Sequence, residues 1–408
     1  CVASRDRSID FADKPIADFR WVSDCYVEGA GVDLVNVSAS ERTWDSFKWL
    51  FARAGSPVFD STITQDQQDI AYTFPDMANY DISLIAVNDK MCSDTLHSTL
   101  VLKPNITLKD TSFLEGFDGS DVKWDTRSDT ATRNSWVRGE PDFSGFAPDP
   151  GDYAFYTDFP EDPDQRGVEQ SWVQSPCFDF RGMERPMIRM DIMRSFDFNR
   201  DGAVLQYTLN NGIDWITVGN IGEGISWYNS FDIKEEPGGS SIGWSGEALF
   251  DPDTTWVKAA HDLDMLRDQE TVIFRVIYGT DGASVVDNEG FAFDNIYLGE
   301  RSKRALIEHF TNSAAAEAPE ADDAIDDFTD NNNLDVVNLQ YHMHFPGADP
   351  MNVNNPSPAA SRSFYYGVNQ VPFALMDGGF DNSYRYDFAP GEPDGSSLRQ
   401  LTLESPSF

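Results

Sequence analysis

The chain has 408 residues, of which 40% are hydrophobic and 13% aromatic, and this is enough to pack two to four domains. Its 30 Lys and Arg stand against 69 Asp and Glu, and the resulting formal charge of −39 would repel nucleic-acid phosphates and anionic lipid headgroups. No run of apolar residues is long enough to span a bilayer, so direct membrane insertion is not expected. An ordinary solvated acidic surface and a surface that collects divalent cations both remain consistent with this composition.

The first residues, CVASRDRSIDF, have a weak counterpart at CSDTLHSTLVL, and each copy runs into a Pro-containing segment. This pattern predicts that residues 1–18 are the tail of a preceding module and a linker. Cys1 would then have its partner upstream. A lipid-modified Cys1 is the alternative, but it needs a flexible polar tether and the continuation looks like a strand.

The segment YTFPDMANYDISLIAVND at 72–89 combines a turn with the period-two alternation of a sandwich strand pair. Together with ADF at 17–19 and the closing strand after Cys92, it resembles a PKD domain. PKD domains are immunoglobulin-like sandwiches common in large extracellular bacterial proteins, so the resemblance implies such a sandwich over residues 19–104.

The resemblance also places Cys25 near the first strand of that sandwich and Cys92 at the last. It therefore implies a disulfide between Cys25 and Cys92, and with it an oxidising, extracellular compartment. Two reduced, buried cysteines in a cytosolic chain are the alternative.

The stretch DGAVLQYTLNNGIDW, residues 201–215, predicts a β-hairpin. Leu205, Tyr207 and Leu209 alternate with polar residues, and Asn210-Asn211-Gly212 supplies the positive φ angles of a tight turn. The same alternation returns in TVIFRVIYGT and GFAFDNIYL, so this part of the chain is expected to form a second β-sandwich.

Residues 108–300 resemble the jelly-roll modules related to MAM domains that occur in secreted and surface proteins of gliding Gram-negative bacteria. The likeness rests on islands that fall in order along the unit: FLEGFDG, SWVRGEPDF, QSPCFDF, DGAVLQYTLNNGIDW, SWYN, GWSGE, VIFRVIY and EGFAFDNIYL. Such proteins are exported by the type IX secretion system, so the resemblance implies a secreted, cell-surface location.

Related modules often hold a structural calcium where the first and last strands lie side by side. The resemblance carries this site onto Glu115 and Asp118 in the first strand and Asp294 in the last. Carboxylate oxygens from separate strands suit calcium, a hard cation with flexible geometry. A merely solvated acidic cluster is the alternative.

A second calcium motif is weaker. Asp197 to Gly202 copies the start of a calcium loop, but Thr208 stands where a closing Glu is required, and a plain turn is the preferred interpretation. Cys177 has no evident partner in the sequence and is expected to be a buried free thiol.

After the basic residues 301–304 the periodicity changes, and residues 304–408 read as α/β. The order LIEHFT, an acidic helix, LDVVNLQYH and a Val-Pro segment resembles the thioredoxin-like domain of a family of bacterial outer-membrane-associated proteins. The resemblance puts Ala315 and Ala318 at the two cysteines of the redox turn and Pro372 at the expected cis-proline. Alanine cannot form a thiolate, so the redox chemistry is expected to be lost, and the domain is expected to be truncated.

His342 and His344 lie two residues apart on a predicted strand, near Asp349, which invites a zinc hypothesis. Exposed or packed strand histidines are the preferred alternative.

The fold class predicted is therefore mostly β: an immunoglobulin-like sandwich, a jelly-roll sandwich and an incomplete thioredoxin-like α/β domain. No GxSxG, HExxH or paired-carboxylate motif is present, so we expect a non-catalytic segment of a large secreted surface protein with an adhesive or structural role. Its partners would be other modules of the same chain and surface glycans or proteins. Accessory modules of a secreted hydrolase or protease are the alternative, and a thiol oxidoreductase lacks the cysteines it would need.

Overall fold

A computed structural model describes residues 14–120, 122–129, 132–141, 152–158, 167–246, 256–283, 290–388 and 392–404. Cys1 and its expected pairing lie outside these residues. The described chain is mostly β, and its α-helices begin at Ala318. The predicted fold class, sandwiches followed by a unit that contains helices, is confirmed.

Two sheets form the first sandwich. One has the strand order β1-β3-β6, with β1 at Phe19–Trp21, β3 at Val32–Asn36 and β6 at Ile70–Tyr72. The other has the order β5-β4-β7-β8, with β4 at Trp44–Arg53, β5 at Asp60–Thr64, β7 at Asn79–Asn88 and β8 at Ser93–Val101. Alternate residues such as Leu34, Trp49 and Leu84 point into one core and are fully buried.

A second pair of sheets forms the jelly-roll region. The six-stranded sheet has the order β12-β13-β20-β15-β18, and β10 also pairs with β20. Its strands are β10 (Phe113–Glu115), β12 (Trp136–Gly139), β13 (Ala154–Thr157), β15 (Pro186–Ser195), β18 (Val257–Asp262) and β20 (Gly290–Glu300).

The seven-stranded sheet has the order β17-β16-β19-β14-β9-β2, and β11 also pairs with β14. Its strands are β2 (Cys25–Tyr26), β9 (Lys103–Thr107), β11 (Asp125–Ser128), β14 (Glu169–Asp179), β16 (Gly202–Thr208), β17 (Ile216–Thr217) and β19 (Val272–Thr280). Aromatic side chains from both sheets, including Phe274, Phe291 and Phe293, fill a common core.

The predicted hairpin is confirmed, because β16 and β17 pair antiparallel across the Asn-Asn-Gly turn. Asn211 and Gly212 have φ angles of 56° and 84°. The hydroxyl of Thr208 accepts hydrogen bonds from the backbone N–H groups of Asn210 and Gly212, at 3.2 and 2.9 Å. The Trp215 ring lies over Gly212, where a Cβ would stand 3.3 Å from it, and these contacts fix the turn.

Asp197 to Asp201 form a turn, as expected. The N–H groups of Arg200 and Asp201 both donate to the carbonyl of Asp197, and Asn199 has a φ of 60°. The Asn199 side-chain oxygen accepts a hydrogen bond from Ser230 at 2.6 Å, so it is already used within the protein.

The predicted disulfide is wrong. Cys25 is bonded to Cys177, with their Cα atoms 5.8 Å apart, and Cys92 is a half-buried free cysteine. The expectation of a free thiol at Cys177 is therefore wrong as well.

Strand pairing explains this disulfide. Cys25 pairs with Lys103, just beyond the end of β8, and Cys177 pairs with Asn105 two residues later. Cys92 precedes the start of β8, and a nine-residue strand spans about 30 Å. The geometry of the sheet thus joins Cys25 to the jelly-roll strand β14 and keeps Cys92 about a strand length away.

The last unit has a four-stranded sheet in the order β22-β21-β23-β24. Its elements are β21 (Ala305–Thr311), α1 (Ala318–Asn331), β22 (Val336–His342), α2 (Pro350–Asn354), α3 (Pro356–Tyr366), β23 (Phe373–Met376), β24 (Arg385–Tyr386) and α4 (Gly395–Leu403). The segments LIEHF and LDVVNLQY lie on parallel neighbouring strands, because β21 pairs in parallel with β22. Ile307, Ile325 and Leu401 share its core.

Candidate functional site

The site predicted for calcium lies where the two ends of the jelly-roll region meet. Strand β10 pairs antiparallel with β20, and Glu115 stands opposite Ile296, two residues after Asp294. The expected contact between the first and last strands is therefore present. The backbone thus brings Glu115 close to Asp294, and Asp118 lies in the segment that follows β10.

Their side chains are used in different ways. Glu115 Oε1 accepts the backbone N–H of Phe117 at 2.9 Å, and Asp118 Oδ1 accepts the N–H of Tyr153 at 2.8 Å. Asp294 Oδ1, in contrast, is buried and makes no hydrogen bond within the described structure. Of the three predicted ligands, Asp294 is therefore the one whose carboxylate has a buried oxygen that still needs a partner.

Two carboxylates that the sequence did not single out face Asp294. Asp191, on β15, pairs with Asp294 across the sheet, and Asp152 lies beside them in a cavity of about 240 Å³. Burial is the main reason that the pKa of Asp294 rises to about 7, and repulsion from Asp118, Asp191 and Asp152 adds to it. Lys258 Nζ lies 2.9 Å from Asp191 and balances part of this charge.

These residues fit a hard cation through Asp294 and Asp118. Calcium prefers carboxylate and carbonyl oxygens, and an unpartnered buried carboxylate oxygen among other carboxylates offers such a ligand. The three predicted carboxylates do not all lie within 4.8 Å of one another, since the group that meets this distance among the described residues is Asp24, Cys25 and Cys177. Those two sulfurs form the disulfide, so that group holds no metal.

Sequence reasoning missed Asp191 because its partner Asp294 lies about a hundred residues away on a strand paired only in the folded sheet. A pKa near 7 would also suit a general acid. The buried Oδ1 of Asp294, however, has almost no surface from which to reach a substrate.

The turn that the resemblance aligns with a redox turn lies between β21 and α1. Ala318 is the first residue of the helix, and Ala315 lies in the turn before it, with its N–H donating to the carbonyl of Asn312 at 3.0 Å. Both alanines are buried, and the Val371–Pro372 peptide bond is cis, as the resemblance implied. No sulfur stands at 315 or 318, so this turn cannot carry a dithiol couple.

The suggested zinc pair at His342 and His344 has other contacts. His342 Nδ1 lies 3.0 Å from Asp349 Oδ2, and the ring of His344 packs edge-on against Phe345. Burial alone would raise the pKa of Asp349, but hydrogen bonds from Ser313 N–H and His342 hold it well below its usual range. Asp349 caps α2, so its pairing with His342 has a structural role.

His309 was not singled out from the sequence. It lies on β21 with no exposed surface, and burial lowers the pKa of its imidazole, against the attraction of Asp322 on α1. Within the described residues, no helix is long and apolar enough to cross a membrane.

The chain matches no protein-family model and no curated protein. Among solved structures it is similar to a carbohydrate-binding module of the β-sandwich superfamily, at 13% identity and a TM-score of 0.28, over 71% of this chain and 100% of that one. It is also similar to the K1 and K3 cleaved adhesin domains of Lys-gingipain from Porphyromonas gingivalis W83. These are 12% and 14% identical, with TM-scores of 0.28 and 0.27, over 47% and 46% of this chain and 98% of each of theirs. Similarities this low carry no conclusion about function.

Proposed function

We propose that this chain is a non-catalytic, load-transmitting segment of a large secreted cell-surface protein, with an adhesive or structural role. Its three units would be the sandwich at 19–104, the jelly roll at 108–300 and the thioredoxin-like unit at 304–408. The observation that carries the proposal is that covalent and buried ionic contacts join each unit to the next, as a segment that transmits force requires.

The first junction is held by backbone pairing and by a disulfide. Strand β2, from the first sandwich, pairs with β9, and β9 pairs with β14 of the jelly roll. The Cys25–Cys177 bond closes the same junction covalently. Lys103, which is buried, pairs there with Asp125. A disulfide at this position also supports an oxidising, extracellular location.

The second junction is a network of buried charges. Arg185 Nε donates to Asp335 Oδ1 at 2.6 Å, and Arg301 contacts Asp335 at 3.3 Å and Asp264 at 2.9 Å. Arg185 and Arg301 are both nearly fully buried. Charge-assisted hydrogen bonds therefore anchor the linker, residues 301–304, to both the jelly roll and the last unit.

Lys303, also in the linker, adds a half-buried contact to Asp377 at 3.0 Å and a contact to the exposed Glu404 at 2.8 Å. Arg301 and Lys303 thus connect the last two units.

The proposal includes calcium at Asp118 and Asp294, where the ion would tie β10 to β20 and stabilise the jelly roll by mass action. It also includes export by the type IX system and contact with other modules of the same chain, both of which rest on the resemblance. A surface glycan or protein would be the external partner. A cleft of about 460 Å³ at the first junction, lined in part by Met77, Val101 and Val122, offers a place for one.

The test is a binding survey with the 408-residue chain. The chain, saturated with calcium, should adhere to particular surface glycans or proteins in array experiments, and should release no product from polysaccharide, peptide and ester substrates. Turnover of any of these substrates, abolished by a point substitution in the chain, would favour the alternative, a part of a secreted hydrolase or protease. Absence of adhesion to every array would contradict an adhesive role.

A further inference from the structure

A buried histidine and a carboxylate face each other behind the first helix of the last unit. His309 Nε2, on β21, lies 3.1 Å from Asp322 Oδ1, on α1. The side chain of His309 is 1% exposed and that of Asp322 is 28% exposed. The pair therefore lies just beneath the surface of this unit.

The two atoms are close but do not form a hydrogen bond. Both ring nitrogens of His309 and the Oδ1 of Asp322 lack any hydrogen-bond partner in the described structure. Buried polar atoms in native proteins almost always have partners, so these neighbouring exceptions require an explanation. A ligand bound by both His309 Nε2 and Asp322 Oδ1 would give partners to these two atoms.

The separation matches two ligands of one metal ion. Zinc binds imidazole nitrogen and carboxylate oxygen at about 2.0–2.1 Å, and tetrahedral geometry then places the two atoms about 3.2–3.4 Å apart. Two ligands of one ion point at the ion and not at each other, which agrees with the missing hydrogen bond.

The surroundings supply further features of a metal site. The hydroxyl of Thr311 donates to the other carboxylate oxygen, Asp322 Oδ2, at 3.2 Å, as ligating carboxylates are commonly held by a second hydrogen bond. Asp326 is exposed one helical turn after Asp322 on the same face of α1, but its carboxylate does not lie within 4.8 Å of both other ligand atoms, so it is not counted as a ligand.

We propose that His309 and Asp322 are the protein ligands of a transition-metal site that water molecules complete. A borderline divalent cation such as Zn²⁺ fits one imidazole, one carboxylate and water. The ion would join β21 to α1 behind the turn that lacks its cysteines.

The test uses Zn²⁺ itself, added as zinc chloride to the 408-residue chain in calcium-saturated buffer. The chain carries Cys92→Ser, because a free thiolate also binds zinc. Calorimetric titration and thermal melting are expected to show binding at micromolar zinc and an increase in Tm. Asp322→Asn, nearly isosteric and partly exposed, should weaken binding by roughly tenfold or more, as should His309→Ala.

Asp323→Asn and His344→Ala are the matched controls and should bind as the parent does. Because His309 is buried and its replacement by alanine leaves a cavity, Co²⁺ is also added as a spectroscopic probe to the folded Asp322→Asn variant and to the parent. The parent should give the visible absorption of tetrahedral cobalt, and the variant should lose it. Binding that is unchanged in Asp322→Asn, or no binding at all, overturns the proposal.

Discussion

At the residue scale, Asp201 shows how burial changes an ionisation. It is 1% exposed at the start of β16, and its Oδ1 makes no hydrogen bond. Burial is the main cause that raises its pKa from 3.8 to about 7, Asp281 and Asp197 add to the rise, and a hydrogen bond from Thr280 opposes it. Since the folded-state pKa lies above the unfolded one, the folded state holds this proton more tightly. Its contribution to stability is complete below pH 3.8 and is lost as the pH rises to about 7.

Asp201→Asn should therefore stabilise the protein at alkaline pH, because the amide stays neutral where the carboxylate must ionise in a buried place. We expect a gain of about 1–3 kcal/mol near pH 8 and a clearly smaller gain near pH 5, from denaturant unfolding with a chelator present. Asp45→Asn, at an exposed position of the first sandwich, is the control and should show no such pH dependence. A gain of equal size at both pH values would mean that Asp201 does not titrate in this range.

The acidic cavity around Asp294 gives a second prediction at this scale. Excess chelator should lower the Tm of the parent, because an ion bound only by the folded state stabilises it by mass action. Asp294→Asn and Asp118→Asn should each remove most of this calcium-dependent shift, while Asp45→Asn should keep it. Scanning calorimetry with and without calcium makes the comparison. An identical Tm in calcium and in chelator would remove the ion from this site.

The residues around Asp294 also show which members of the calcium site could be predicted from the sequence. Asp118 and Asp294 could be proposed because a resemblance placed them on the first and last strands, and the pairing of β10 with β20 agrees. Asp191 could not be proposed from the sequence, because only the register of β15 against β20 brings it opposite Asp294.

At the element scale, residues close together in the sequence were enough to predict the hairpin but not the parallel strand pairs. The turn at Asn211-Gly212 is encoded within a few residues, through positive φ angles and the Thr208 hydroxyl. Strand β9 pairs in parallel with β2 and β14, segments about 80 and 70 residues away, and no local pattern encodes such a register. The disulfide was mispredicted for this reason.

The double substitution Cys25→Ser with Cys177→Ser should lower the free energy of unfolding by up to about 5 kcal/mol, because the bond closes a loop of 152 residues in the unfolded chain. Denaturant unfolding of the oxidised parent and the double variant measures this loss. Cys92→Ser removes the free cysteine and should change the stability by less than about 1 kcal/mol. If Cys92→Ser proved the more damaging change, the observed pairing would be refuted.

At the scale of the whole molecule, the contacts at the junctions, more than the separate cores, decide whether the units unfold together. The sequence indicated a change of periodicity at the basic residues 301–304, but it could not show that Arg301 is buried between two carboxylates, Asp264 and Asp335. A buried arginine that loses one partner keeps the cost of its desolvation, so removing a single carboxylate should destabilise more than an exposed ion pair would. The last two units should therefore unfold as one cooperative body while this network is intact.

Asp335→Asn tests that coupling, because it removes the carboxylate shared by Arg185 and Arg301 and leaves the backbone unchanged. We expect a loss of about 3–5 kcal/mol in the unfolding of the last unit, and its transition should separate from that of the jelly roll. Scanning calorimetry resolves the transitions, and small-angle scattering should show a larger maximum dimension as the last unit detaches. Asp327→Asn, on the exposed face of α1, is the matched control and should leave one coupled transition. A single unshifted transition in Asp335→Asn would show that apolar contacts such as Met187 against Leu403, and not the charges, hold the two units together.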